Sequence, residues 1–243
     1  MPAVRARRRT AGLRLASVVL ACAAIALCAS CGGHPRTRVL FIGNSFTFYN
    51  GGIDAELSRL DPSCVTPSVT AGGATLQQQW QTGQALQAIR SGHWDYVVLQ
   101  EQSQTPVIAQ PLFRDYAARF DQAIRASGAA TVLLMTWQRP DSAAEGVTTA
   151  NLAAAYRSVA AQLGARVAPA GEAFAEALLE RPGLLLDNPD GHPTVEGTYL
   201  AACVVYDTVL RRSPVGVAYA DQGISPDERL FLQRVAAESL AGS

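Results

Sequence analysis

Ser45 directly follows an apolar run, residues 38–43, and precedes a stretch with helical spacing. A serine at such a strand-to-helix turn has its hydroxyl at the edge of a sheet. Its own N–H, near a helix start, is placed to hold a developing oxyanion. An ordinary capping serine occupies the same kind of position, so the residue needs a partner before it means chemistry. A serine nucleophile needs a base, most often histidine. The chain has three: His34, His93 and His192. His34 lies just past a candidate processing site. His93 precedes a strand, which puts it at the opposite end of a parallel sheet from Ser45. His192 lies in Asp190-Gly-His-Pro-Thr194, a loop feeding a helix, with Asp187 and Asp190 beside it. Elimination selects His192.

Other groups with chemical capacity fall at strand ends too. Gly72 and Gly73 close the second apolar run, where backbone N–H groups can approach a ligand closely. Gln100 and Gln102 leave the central run with carboxamides able to donate to an oxyanion. Trp80, Trp137 and Tyr49 have rings that can stack on a sugar or simply fill a core.

The elements that must position these residues alternate. Apolar runs at 38–43, 63–70, 95–100, 131–135 and 166–168 read as strands. Helical spacing occupies 52–60, 76–89, 111–127, 148–163, 172–179 and 194–210. Ser225-Pro226-Asp227-Glu228 supplies the cap of a last helix to about 240. Five strands alternating with helices predict an α/β fold, with a mostly parallel five-stranded sheet covered on both faces. In such sheets ligands bind outside the carboxyl ends of the strands, where the candidate residues cluster.

Composition excludes several functions. The chain has 243 residues, 49% of them apolar, with 20 basic and 20 acidic side chains. Arg5, Arg7, Arg8, Arg9 and Arg14 are the charged residues of 1–30, so the remainder is mildly acidic and offers no nucleic-acid footprint. Scattered histidines without paired metal motifs argue against a metal, and the absence of G-x-G-x-x-G after the first strand argues against a dinucleotide; no cofactor is expected. Residues 1–30 read as an export signal: a basic start, an apolar run from 15 to 29, then small residues before Cys31. Small-small-Cys resembles a bacterial lipoprotein box, with Cys28 where leucine is usual, so the expectation is a lipid on Cys31 and a cell-envelope location; the alternative is an ordinary secretory signal cut near Ser30 and a secreted protein. Residues 31–37 are a short tether and 38–243 one domain. Cys64 and Cys203 are expected as buried free thiols.

Leu40-Phe-Ile-Gly-Asn-Ser-Phe46 resembles the first block of the SGNH (GDSL-like) hydrolases, with Asn44 where many members have Asp. Ala71-Gly72-Gly73 sits where that family has its second-block glycine, and residues 190–199 resemble its final Asp/His block. The resemblance covers residues 38–210. It implies a flavodoxin-like three-layer α/β/α sandwich and a serine esterase for small acyl esters, acetyl on a sugar or envelope glycan among them. It implies Ser45 as nucleophile, His192 as base, and the N–H groups of Ser45 and Gly73 with a carboxamide as oxyanion donors. Two departures stand out. The segment 99–104, Leu-Gln-Glu-Gln-Ser-Gln, lacks the third-block Asn and looks closer to the Gln-Gly-Glu-Ser loop of sugar O-acetylesterases, which gives the carboxamide role to Gln100 first and Gln102 second. The family's Asp-x-x-His spacing points to position 189, which is Pro189; Asp190, Asp187 and no acid at all follow in that order. A catalytically decayed, lipid-anchored binding protein and an acyltransferase are the alternatives.

Overall fold

The computed structural model describes residues 1–3, 36–221 and 223–241. The export signal, Cys31 and His34 lie outside the described residues. The chain divides into residues 1–35 and a compact unit from Arg36 onward, which holds the whole sheet.

Six strands form one parallel sheet: β1 (Thr37–Gly43), β2 (Cys64–Val65), β3 (Ser68–Thr70), β4 (Tyr96–Leu99), β5 (Ala130–Leu134) and β6 (Arg166–Ala168). The order is β2-β1-β4-β5-β6, with β3 also on β1. The expected five-stranded sheet is thus correct in its positions but not in its count. The single strand expected at 63–70 is broken at Thr66-Pro67. Cys64 and Val65 pair with the start of β1, and Ser68–Thr70 with its end. Pro67 has no N–H for a ladder, although its carbonyl still accepts from Phe41 N at 2.9 Å.

The strands alternate strictly, which builds two cores from one sheet. Val39, Phe41, Val98, Val132 and Leu134 face a layer made by α2 (Ile53–Leu60), α8 (Ala170–Glu180), α9 (Val195–Leu210) and α10 (Pro226–Ala241). Leu40, Ile42, Val97, Leu99 and Leu133 face α3 (Leu76–Thr82), α4 (Gln84–Ser91), α6 (Gln110–Ala126) and α7 (Thr149–Leu163). This is the three-layer α/β/α sandwich. α9 is nearly all buried because it packs against α2, α8 and α10 as well as the sheet face. Among the described residues no helix is long and apolar enough to cross a membrane. Cys64 and Cys203 are buried free thiols.

The expected helix at 76–89 is two helices. Gly83 stands between α3 and α4 at φ +75°, a left-handed conformation that other residues adopt only at a cost, and it stops α3. Two single-turn helices escaped the sequence pattern, α1 (Ser45–Phe48) and α5 (Thr105–Ile108). Both lie at carboxyl ends of strands, in the region that holds the candidate residues.

Candidate active site

β1 ends at Gly43, and the chain turns at once into α1. Asn44 makes that turn rigid. Its side-chain oxygen caps Phe46 N at 3.1 Å, its Nδ2 donates to Ala74 O at 3.0 Å, and its own N–H donates to Gln100 Oε1 at 2.9 Å. Ser45 is therefore held from three sides by its buried neighbour. The second of these bonds also ties the Gly72-Gly73 turn to the Ser45 backbone.

His192 arrives from the loop between α8 and α9. Asn188 and His192 close this loop, with Asn188 N donating to His192 O at 2.7 Å, and Asp187 forms an antiparallel bridge with Pro193. Thr194 then caps α9 through Gly197 N. Trp137 Nε1 donates to Gly191 O at 3.0 Å, and Asn50 Nδ2 donates to Pro193 O at 2.8 Å. Asn50 reaches that carbonyl from a left-handed backbone (φ 51°), a conformation asparagine tolerates better than most residues. The imidazole stacks on Tyr49 at 4.5 Å and meets the Phe46 edge at 5.5 Å.

The outcome is a 2.9 Å contact between His192 Nε2 and Ser45 Oγ, across 147 residues of sequence. Asp190 completes the line less well. Its Oδ1 accepts the His192 backbone N–H at 3.1 Å, and its Oδ2 lies 3.0 Å from Nδ1. That approach is close, yet Nδ1 is without an assigned hydrogen-bond partner among the described residues. The short Asp-x-His spacing explains this: a carboxylate two residues away is committed first to the backbone N–H between them. That N–H, followed by the imidazole contact, holds the Asp190 carboxyl below its ordinary range. Asp187 makes no recorded contact with His192 and lines an adjacent pocket instead. His93 lies at the other end of the sheet, where its carbonyl accepts from Arg38 Nε.

Ser45, His192, Asp190, Asn44, Gly73 and Gln102 line one pocket of about 130 Å³, together with Phe46, Ser103 and Arg139. Gln100 is absent from it, which reverses the expected ranking of the two carboxamides. Gln100 is buried beneath Asn44. Its oxygen accepts from Asn44 N and Thr47 Oγ1, each at 2.9 Å, and its nitrogen donates to Glu101 O. Buried and outside the pocket lining, the Gln100 carboxamide positions the turn and does not face the reaction. Gln102 Oε1 gathers Gln104 N, Thr105 N and Thr105 Oγ1 at 2.9–3.1 Å, while Nε2 has no partner among the described residues. The N–H groups of Ser45 and Gly73 have none either.

The rings suggested for sugar stacking are otherwise engaged. Trp137 is 1% exposed and sandwiched between Phe46 (4.8 Å) and Phe174 (4.2 Å). Trp80 meets the Phe120 edge and lines a groove on the α6 side, away from Ser45. Tyr49 lies over His192.

Sequence reasoning missed Glu101, which sits beneath the whole arrangement. It is fully buried, and its Oε1 accepts Gln102 N at 2.7 Å and Leu76 N at 3.1 Å, joining the Gln102 loop to the segment that follows Gly73. Its Oε2 has no partner among the described residues. Burial pushes its carboxyl up to about 7, against the two N–H bonds that pull it down. A carboxyl raised in the fold favours folding most below its ordinary value near 4.5, and that contribution is lost as pH rises through 7. The loss amounts to about 3 kcal/mol at about 1.4 kcal/mol per pH unit. Glu101→Gln keeps both accepted bonds without the charge. Its urea stability relative to wild type is expected to improve by about that amount between pH 5 and pH 8. A difference that does not move with pH would show that Glu101 carries no such cost.

Comparison with solved structures decides the family. A candidate SGNH hydrolase from Slackia heliotrinireducens is 28% identical, over 71% of this chain and 98% of that one, with a TM-score of 0.60. The chain is an SGNH/GDSL-like hydrolase. A DUF4886 family protein from Bacteroides uniformis shares the fold at TM-score 0.71 and 18% identity, over 84% of this chain and 95% of that one. An acetyl xylan esterase does so at 0.59 and 14%, over 71% and 99%. No family model and no curated protein matches the sequence.

Proposed function

We propose that this SGNH-type ester hydrolase removes small acyl groups, acetyl foremost, from carbohydrate-like alcohols through an acyl-enzyme on Ser45. The observation that carries the reading is the 2.9 Å contact between Ser45 Oγ and His192 Nε2 at the wall of a small pocket. For Nε2 to accept the serine proton, the imidazole must carry its hydrogen on Nδ1, the nitrogen that faces Asp190.

Ser45 Oγ attacks the ester carbonyl as its proton passes to His192 Nε2. The carbonyl electron pair moves onto oxygen, and the N–H groups of Ser45 and Gly73 with Gln102 Nε2 hold the anion. On collapse, the imidazolium gives its proton to the departing alcohol. Water then attacks the acyl-serine by the same proton relay and releases the acid. The Asp190 carboxylate, 3.0 Å from Nδ1, steadies the imidazolium electrostatically.

Pocket size supports a short acyl chain. About 130 Å³ equals roughly four water volumes at about 30 Å³ each, enough for an acetyl group and too little for an octanoyl tail. With 4-nitrophenyl esters, kcat/KM for acetate is expected to exceed that for octanoate by about 100-fold, since a tail that finds no room pushes the acyl carbon away from Ser45 Oγ, and a misplacement of about 1 Å costs about that factor. A fluorophosphonate is expected to label Ser45 and no other serine. Equal rates on acetate and octanoate would end the small-acyl reading, and labelling elsewhere would end the assignment of Ser45.

A further inference from the structure

We propose that Arg139 selects the substrate, and that the ester cleaved at Ser45 carries a carboxylate on its alcohol half, as an acetylated sugar acid does. The proposal rests on the esterase reading and narrows it. Arg139 lines the same pocket as Ser45, Gly73, Gln102 and His192, and it also lines a neighbouring pocket of about 320 Å³ bounded by Trp137, Thr149, Phe174 and Leu178. It thus borders both pockets, at the place where a substrate too large for the first would reach the second. The first has room for a small acyl group, so the group that crosses Arg139 is the alcohol half.

The side chain is seated rather than waving in solvent, with 23% of it exposed. Its stem lies against Gly191, where an added Cβ would meet Arg139 Cγ at 2.6 Å and Nε at 2.8 Å; Gly191 also sits at φ +84°. Side-chain bulk at Gly191 would therefore push the guanidinium out of the site. The seat is not made for the guanidinium's own satisfaction. Nε is buried without an acceptor among the described residues, which a fold does not leave so without cost. Nη1 has no partner among the described residues, and Nη2 meets only Asp141 Oδ2, at 3.3 Å on a carboxylate 64% exposed. A single long contact at the rim holds a charge weakly. Of the other nearby acids, Asp190 is committed to His192. Half-buried Asp187, on the wall of the second pocket, has its carboxyl raised by burial. The planar end of Arg139 is thus left to face the pocket with no matching anion. A carboxylate there would gain two charge-assisted bonds from a fork already held in place.

The test compares two isosteric pairs of esters on the full domain. One pair differs in the alcohol: 4-carboxyphenyl acetate against 4-carbamoylphenyl acetate. The other differs in the acyl group: 4-nitrophenyl hydrogen succinate against 4-nitrophenyl succinamate. For wild type, kcat/KM is expected to favour the carboxylate of the alcohol pair by about 10- to 100-fold, the range for hydrogen bonds to a charged group. That preference should shrink in 0.5 M salt. Arg139→Gln should bring the ratio near one, and Arg139→Lys, which keeps the charge but loses the fork, should retain part of it. The same ratio in wild type and Arg139→Gln would overturn the proposal, and a preference confined to the acyl pair would overturn its placement on the alcohol. Hydrolysis of the neutral esters without charge preference refutes Arg139 and leaves the esterase reading standing. Failure on all four esters refutes both.

Discussion

Ser45→Ala is expected to lower kcat for 4-nitrophenyl acetate to within background, by at least about 1,000-fold, with no loss of thermal stability beyond about 1 kcal/mol. The stability clause follows from where the hydroxyl goes. Among the described residues it bonds only His192, while the turn is held by Asn44 and Gln100. His192→Ala should fall as far, because neither partner works without the other. It should also unfold more easily, since it strips the ring that Tyr49 and Phe46 cover. Asp190→Asn should fall less than either. Its carboxylate lies beside Nδ1 without an assigned hydrogen bond to it, and its Oδ1 remains available to the His192 backbone N–H. Steady-state kinetics of the three variants beside thermal unfolding would check the order. A Ser45→Ala protein that retained wild-type turnover would remove the mechanism altogether. An Asp190→Asn protein as dead as His192→Ala would mean that the aspartate swings into line when substrate binds.

What the sequence showed and what it hid divide along a physical boundary. Strands buried on both faces are long apolar runs, so β1, β4 and β5 were readable, and the end of a parallel sheet that binds ligands then followed from polarity alone. Ser45 and His192 were readable because few residues of the right type lie at that end. Past the last ladder bond, periodicity stops informing. Gln100 N still bonds Ile42 O, so Gln100 acts as the final strand residue and its side chain packs under Asn44. Two residues later the chain has left the sheet, and the alternation that would have put Gln100 and Gln102 on one face no longer applies. Trp137 misled for a related reason: an aromatic at a strand end looks the same in sequence whether its faces meet a sugar or Phe46 and Phe174. Glu101 was invisible because a buried carboxylate is recognised by the N–H groups it accepts, and Leu76 lies 25 residues away.

Gln102→Glu and Gln100→Glu should fail in opposite ways, although each exchanges one NH₂ for an oxygen two residues apart. At Gln102 the oxygen that gathers the start of α5 is preserved, so the fold should hold to within about 1 kcal/mol, the scale of a lost helix cap. What changes is the free Nε2: a donor on a residue that lines the pocket becomes an acceptor with negative charge. Removing one oxyanion donor costs about 100- to 1,000-fold in turnover, and repulsion of the anion adds to that, so kcat should drop by at least that factor. The loss belongs to the transition state, and KM should move by less than about threefold. At Gln100 the exchanged NH₂ is the one that donates to Glu101 O, inside the protein. A carboxylate there sets oxygen against oxygen with no water to help, and breaking a buried polar pair in this way costs about 1–3 kcal/mol or more. Gln100→Glu should therefore unfold at a clearly lower urea concentration, while Gln102→Glu keeps the wild-type midpoint. If Gln102→Glu kept wild-type turnover, the oxyanion would have to rest on the Ser45 and Gly73 N–H groups alone. If Gln100→Glu instead lost turnover at full stability, the carboxamide first favoured from the sequence would regain the role, by a rearrangement that swings it past Asn44 into the pocket.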